Sequence, residues 1–175
     1  MKILITFIGF ILIVNCCFGQ VHKRITTYLQ TQYTHTLYDK TAGNNPAGMG
    51  FGLQTLFDVK SKFKLVLEGT GDLYLLSDKV AVMETDSTVA DDVGSNLSVY
   101  AGASFHPSRK VYFSMLMGLS FINETALFSL KPTFGFNLSE NGRWIGKLSY
   151  INVFNRSKTN EDFGSASFAI GVKLF

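Results

Sequence analysis

The sequence predicts an all-β fold, an eight-stranded antiparallel up-and-down transmembrane β-barrel. Three observations predict it. Past residue 20 the apolar residues recur with a period of two, and no stretch holds a 3.6-residue period for more than about two turns. The alternating segments come to eight, an even number, and most run to ten residues or more. The connections between them form a short series and a long series, the layout of a meander with two unlike ends.

The N-terminal segment, "MKILITFIGFILIVNCCFG", stands apart. It has one cation, Lys2, an apolar run from Ile3 to Val14 and small residues around Cys17 and Gly19. That run is too short for a membrane span and ends in a small-residue exit, so residues 1–19 read as a secretory signal peptide cleaved after Gly19. Cys16 and Cys17 both fall inside it, which leaves residues 20–175 with neither a disulfide nor a thiolate metal site. A lipid-acceptor cysteine wants a small residue before it, and Cys16 follows Asn15. The remaining 20–175 suffice for one domain, the barrel.

The eight segments fall at 24–37, 48–58, 62–75, 96–106, 110–121, 126–138, 143–154 and 164–175. The third puts Lys64, Glu68 and Asp72 on its polar face. In the fourth, "NLSVYAGASF", Leu97, Val99, Ala101, Ala103 and Phe105 oppose Ser98, Tyr100, Gly102 and Ser104. The fifth, "KVYFSMLMGLSF", sets Val111, Phe113, Met115, Met117, Leu119 and Phe121 against Tyr112, Ser114, Gly118 and Ser120. The sixth is the cleanest: Phe128, Leu130, Pro132, Phe134, Phe136 and Leu138 share one face, and Ser129, Lys131, Thr133, Gly135 and Asn137 the other. The seventh carries Trp144, Tyr150 and Phe154, suited to an interfacial aromatic girdle. In the eighth Phe168, Ile170, Val172 and Leu174 share a face, while Phe175 is out of phase with them, beside Gly171 and Lys173. This last segment is expected to close the barrel against the first.

Eight strands can close into a soluble cup with an apolar interior or a membrane barrel with an apolar exterior. A soluble cup should carry charge generously on its outer face. Here the polar face is dominated by Ser, Thr, Gly and Gln, as suits a narrow lumen, and its few charges are of both signs. An exported chain with a continuous apolar outer face must meet lipid, and a closed barrel satisfies every backbone group there.

The signal peptide, the alternating segments, the short turns on one side and terminal Phe175 resemble the small eight-stranded outer-membrane β-barrel proteins of Gram-negative bacteria. The resemblance covers the whole of 20–175 as a pattern of architecture. It implies an outer-membrane location, the short turns in the periplasm and the long loops outside the cell. It also implies that the bilayer and the outer-membrane assembly machinery are partners, with Phe175 as a C-terminal assembly signal departing in phase from the usual pattern. Charge fits two unlike ends: the short turns carry Lys23, Arg24, Lys60, Lys62, Arg109, Lys110 and Arg143 against Asp58 and Glu140, and the long loops carry Asp39, Asp78, Glu84, Asp86, Asp91, Asp92, Glu124, Glu161 and Asp162 against Lys40, Lys79, Arg156 and Lys158, so one end is basic and the other acidic.

The candidate sites follow. Lys64, Glu68, Asp72, Lys131, Lys147 and Lys173 are expected in the interior as paired charges. They admit a proton or ion path or a structural network that fills the lumen, and the network is the favoured reading because eight strands leave room for little beyond side chains. Phe113, Met115, Phe128, Phe134, Phe136, Phe168, Ile170, Val172 and Leu174 are expected to face lipid. Asp86, Asp91 and Asp92 match no known calcium-loop spacing. His35, beside Thr34 and Thr36, and His106, near Ser108, carry no triad signature, so catalysis is not expected. Asn123 begins an "NET" sequon that bacterial export makes accidental. The formal charge of +3, or +2 without Lys2, and the absence of clustered basic and aromatic residues exclude nucleic acid. No pattern calls for a cofactor or a metal, and nothing names a partner for the loops. Three functions stay in view: a non-catalytic barrel acting structurally or through its loops, a narrow porin-like channel, and a soluble secreted barrel carrying an apolar ligand.

Overall fold

The computed structural model describes residues 25–37, 45–60, 62–75, 93–122, 125–154 and 162–175. The expected signal peptide, the acidic segment bearing Asp86, Asp91 and Asp92, and Asn123 lie outside these residues. Eight strands follow in chain order: β1 (Ile25–Thr36), β2 (Ala47–Lys60), β3 (Phe63–Tyr74), β4 (Ser95–Phe105), β5 (Val111–Ile122), β6 (Thr125–Asn137), β7 (Trp144–Val153) and β8 (Phe163–Lys173). Each pairs antiparallel with the next, and β8 returns to β1 to close the barrel. The closing seam runs from Tyr28 opposite Lys173 to Thr36 opposite Ser165. The ladder extends past β8, because Leu174 donates to the Thr27 carbonyl at 2.8 Å and the Thr27 amide donates to the Phe175 carbonyl at 3.1 Å.

The period-two pattern produces this wall because successive side chains point to opposite faces. Along β1, Tyr28, Gln30, Gln32, Thr34 and Thr36 are buried in the lumen while Leu29, Tyr33 and His35 face out. The turns are built from the residues the sequence supplies. Gly142 adopts φ 66° between β6 and β7, where a left-handed residue is needed, and Ser139 Oγ accepts from the Trp144 amide at 3.0 Å. Between β4 and β5, Ser108 Oγ accepts from the amides of Lys110 and Val111. A bulge at Asp58–Lys60 shifts the β2–β3 register beside its turn.

One ladder is interrupted without a shift of register. Leu130 faces Asn152 and Thr133 faces Ser149, but the pairs that would join Lys131 to Ile151 and Pro132 to Tyr150 are absent. Pro132 has no amide hydrogen to give, which removes a rung.

The lumen is layered. From the short-turn end to mid-barrel Tyr28, Leu56, Val66, Tyr100, Leu116 and Ile145 pack together, with Tyr28 Oη donating to the Gly142 carbonyl at 3.0 Å. At the long-loop end Tyr74, Val93, Ile122, Ile151, Val153 and Phe163 form a second apolar cluster, with Tyr74 and Phe163 edge to face at 5.4 Å. There the Val93 amide donates to Asn45 Oδ1 at 2.7 Å and Thr36 Oγ1 donates to the Asn45 carbonyl at 2.6 Å, so Asn45 ties the approaches to β2 and β4 to β1. Gly135 sits under the Tyr112 ring so closely that an added Cβ would overlap it, which is why the lumen face of β6 carries no side chain there.

Candidate functional site

The polar middle of the lumen is built by β3, β6 and β7. Alternation turns Glu68, Lys131 and Lys147 inward, and the three leave only 0%, 0% and 1% of their side chains exposed. Lys131 Nζ donates to Glu68 Oε1 and Lys147 Nζ to Glu68 Oε2, both at 2.6 Å. One carboxylate thus bridges two ammonium groups. It spans the lumen from β3 to the two strands flanking the interrupted ladder. The Tyr100 ring lies under Lys131 Nζ at 5.3 Å, presenting its negative face.

Asp72 lies four residues farther along the same face of β3, where Gln32 Nε2 donates to its Oδ1 at 2.6 Å. Its charge lies within electrostatic reach of Lys131. Glu68, Lys131 and Lys147 thus sit at bilayer depth as a bridged ion triplet, with Asp72 held beside them by Gln32. Hydroxyls fill the space beside it: Ser98 with Ser120 at 2.7 Å, Ser120 with Ser129 at 2.9 Å and Thr133 with Ser149 at 2.9 Å.

Two of the six expected interior charges stand elsewhere. Lys64 pairs with Asp58 at 2.8 Å, with a quarter of its side chain exposed, at the short-turn end of β2 and β3. Lys173 is on the lumen-facing register of β8, opposite Tyr28, but is exposed at the open mouth. The expectation of one six-membered network is corrected on these two positions. Alternation gives the face of a side chain, whereas its depth along the axis depends on how near the strand end it falls.

The outer wall is mostly apolar, with Thr31 and His35 as polar positions on β1. Phe113, Met115, Phe128, Phe134, Phe168, Ile170 and Leu174 are exposed, and Phe136 and Val172 are half-buried on the same face. Phe51 and Leu73 remain 71% and 70% exposed on a chain that folds every one of its strands around a packed interior. Trp144 and Tyr150 face out, and Phe154 stacks on Phe128 at 5.8 Å between centroids. Phe175 is 65% exposed.

The two histidines among the described residues differ. His35 is on the outer face of β1. His106 stacks on Tyr112 at 4.9 Å, and its Nε2 lies 2.9 Å from Ser104 Oγ. At this position, in the turn beyond β4, burial and then the nearby Lys64 lower its pKa to about 4 against the opposing pull of Asp58. Among the described residues no carboxylate bonds to its ring. Among the described residues no group of His, Cys, Asp and Glu is placed to hold a metal ion.

Sequence reading passed over the apolar lumen residues and Asn45. Leu116 lies within the run "MLM", where both faces are apolar and the alternation is hidden. Asn45 sits in "GNNP", which reads as a turn and gives no sign that its side chain is buried.

No family model and no curated protein matches this chain. Solved structures do. The crystal structure of Ail, the attachment invasion locus protein of Yersinia pestis, superposes with a TM-score of 0.55 at 12% identity, covering 86% of this chain and 98% of that one. The backbone structure of Ail in a phospholipid bilayer nanodisc gives 0.57 at 12% identity, covering 85% and 99%. A de novo designed transmembrane β-barrel gives 0.51 at 10% identity, covering 85% and 95%. At these identities the likeness is one of fold: the chain is a closed, eight-stranded, antiparallel up-and-down barrel of the kind that transmembrane β-barrels adopt.

Proposed function

We propose that the protein is a non-catalytic integral outer-membrane β-barrel, delivered by its N-terminal signal segment and acting structurally or through its long loops. The observation that carries this reading is the inversion of its two faces. Charge is enclosed in the lumen and the apolar residues face outward around the wall, an arrangement that suits hydrocarbon outside and would aggregate in water. The soluble carrier is disfavoured on the same ground, since the interior that would hold an apolar ligand carries buried ion pairs and polar side chains. A protein named for attachment and invasion shares only the fold with this chain, so it lends the loops no partner. In this reading the bilayer and the assembly machinery are the partners, with the exposed Phe175 offered as the assembly signal.

The narrow channel is disfavoured by the same interior. Apolar clusters flank the ion pairs toward both ends of the lumen, and Glu68, Lys131 and Lys147 bridge across the bore instead of being spaced along it as ion relays need. Folded protein extracted from membranes is expected to change mobility on a detergent gel after heating and to give no steady conductance in a planar bilayer. A protein that stays in the soluble fraction would end the membrane reading. Steady channels abolished by Glu68→Ala would replace the structural role with a pore.

A further inference from the structure

We propose that a groove on the outer wall at the short-turn end binds one acyl chain of an anionic phospholipid, whose headgroup is held by Lys62, Arg109 and Lys110. The inference rests on the membrane-spanning reading above and names one specific lipid partner for it.

Two adjacent rows of side chains make the groove. The strand register sets Phe63 beside Phe105, Phe105 beside Phe113 and Phe113 beside Phe134, a continuous aromatic row at the short-turn end. The rings touch, with centroids 5.0 Å apart for Phe63 and Phe105 and 5.2 Å for Phe113 and Phe134. The next row inward places Ala103 beside Met115 and Met115 beside Pro132. Ala103 and Pro132 are short, so the wall dips beside the aromatic row, which Leu148 continues onto β7 opposite Phe134, with Tyr150 also lining the dip. The resulting groove measures about 580 Å³ and is open along its length. That falls within the roughly 300–1,000 Å³ of small-molecule sites, and its lining is almost wholly apolar, as a hydrocarbon chain requires.

Charge decides which lipid. Lys62 immediately precedes Phe63, and Arg109 and Lys110 lie in the turn joining Phe105 to Phe113; all three are exposed. A chain lying in the groove with its glycerol end toward the aromatic row brings its phosphate level with these cations, whose long stems can extend along the rings. The nearby acidic groups do not cancel them. Asp58 is taken by Lys64 at 2.8 Å, and Glu140 in the β6–β7 turn is offset by Arg143 of the same turn. His106, with its lowered pKa, adds no charge at neutral pH. The site therefore faces a net negative headgroup with three cations, each worth roughly five-fold in affinity for an anionic lipid.

The test is refolding the protein into nanodiscs of equal phosphatidylglycerol and phosphatidylethanolamine with identical acyl chains, followed by native mass spectrometry of the lipid that stays bound. One phosphatidylglycerol is expected to be retained in preference. Arg109→Gln and Lys110→Gln should each lower that preference roughly five-fold, and Ala103→Phe, which fills the groove, should abolish retention of both headgroups. Equal retention of the two lipids by the unaltered protein, or undiminished retention by Ala103→Phe, would overturn the site. The immobilised fraction of spin-labelled phosphatidylglycerol around the unaltered barrel decides the matter if Ala103→Phe does not fold. Heat-dependent gel mobility is read on each sample. A sample with no shift counts against the membrane reading itself, whereas a shifting barrel without lipid preference counts against the site alone.

Discussion

The two faces of β6 meet opposite environments. Inward, Ser129, Lys131, Thr133 and Gly135 meet an ion bridge, hydroxyls and the Tyr112 ring. Outward, Phe128 and Phe134 are exposed and Leu130, Pro132 and Phe136 half-buried, with no charge among them. Thirteen residues thus serve two environments, separated by one backbone thickness. The contrast shows where each face draws its stability: the inner from pairing within the protein, the outer from a solvent that is not water.

The largest effect should come from breaking the inner face. Glu68→Ala leaves Lys131 and Lys147 buried without their shared counter-charge and is expected to destabilise the barrel by about 3–5 kcal/mol, read as the urea midpoint of refolding into lipid vesicles. Replacing all three partners with apolar residues of similar volume should recover most of that loss, because no uncompensated charge then remains. A Glu68→Ala barrel as stable as the unaltered one would mean that water reaches the pair.

A charge on the outer face should cost somewhat less. Met117 is exposed midway along β5, and Met117→Arg is expected to cost about 2–4 kcal/mol in a bilayer and far less in a soft detergent micelle. The same substitution would be nearly neutral if that wall met water, so the difference between the two media sharpens the contrast between faces.

The smallest effect belongs to the mouth, where the faces meet solvent. His106 is held neutral in the folded state, with a pKa of about 4 against an ordinary 6.5. Its contribution to stability is present in full above pH 6.5 and is lost as the pH falls toward 4, since the unfolded chain takes up the proton first. His106→Gln should flatten the stability profile between pH 6.5 and 4 and leave it unchanged above pH 7.

The alternation of β4, β5 and β6 was enough to read strand number, order and ends to within two residues, because a half-polar wall writes its period directly into the chain. It was also enough to bring Glu68, Lys131 and Lys147 to one face. It could not set depth, so Lys64 and Lys173 read like their neighbours although one pairs at the strand ends and the other reaches solvent. Val66, Ile145 and Ile151 were hidden for a different reason: an apolar residue on the lumen side of a barrel breaks the alternation that identifies the side. The groove over Ala103 and Pro132 depends on the register between neighbouring strands, and a period within single strands does not carry that.

The missing rungs at Pro132 have a consequence for how the ring of strands is joined. A closed barrel has no first strand, and its seam is ordinarily taken to be the place where the chain's ends meet. Here β1 and β8 are joined by nine paired positions and β6 and β7 by seven. Topologically the end-to-end seam is the better sewn of the two, and the cut that would cost fewest stitches lies in the continuous part of the chain, at the strands that Glu68 reaches across the lumen to hold together.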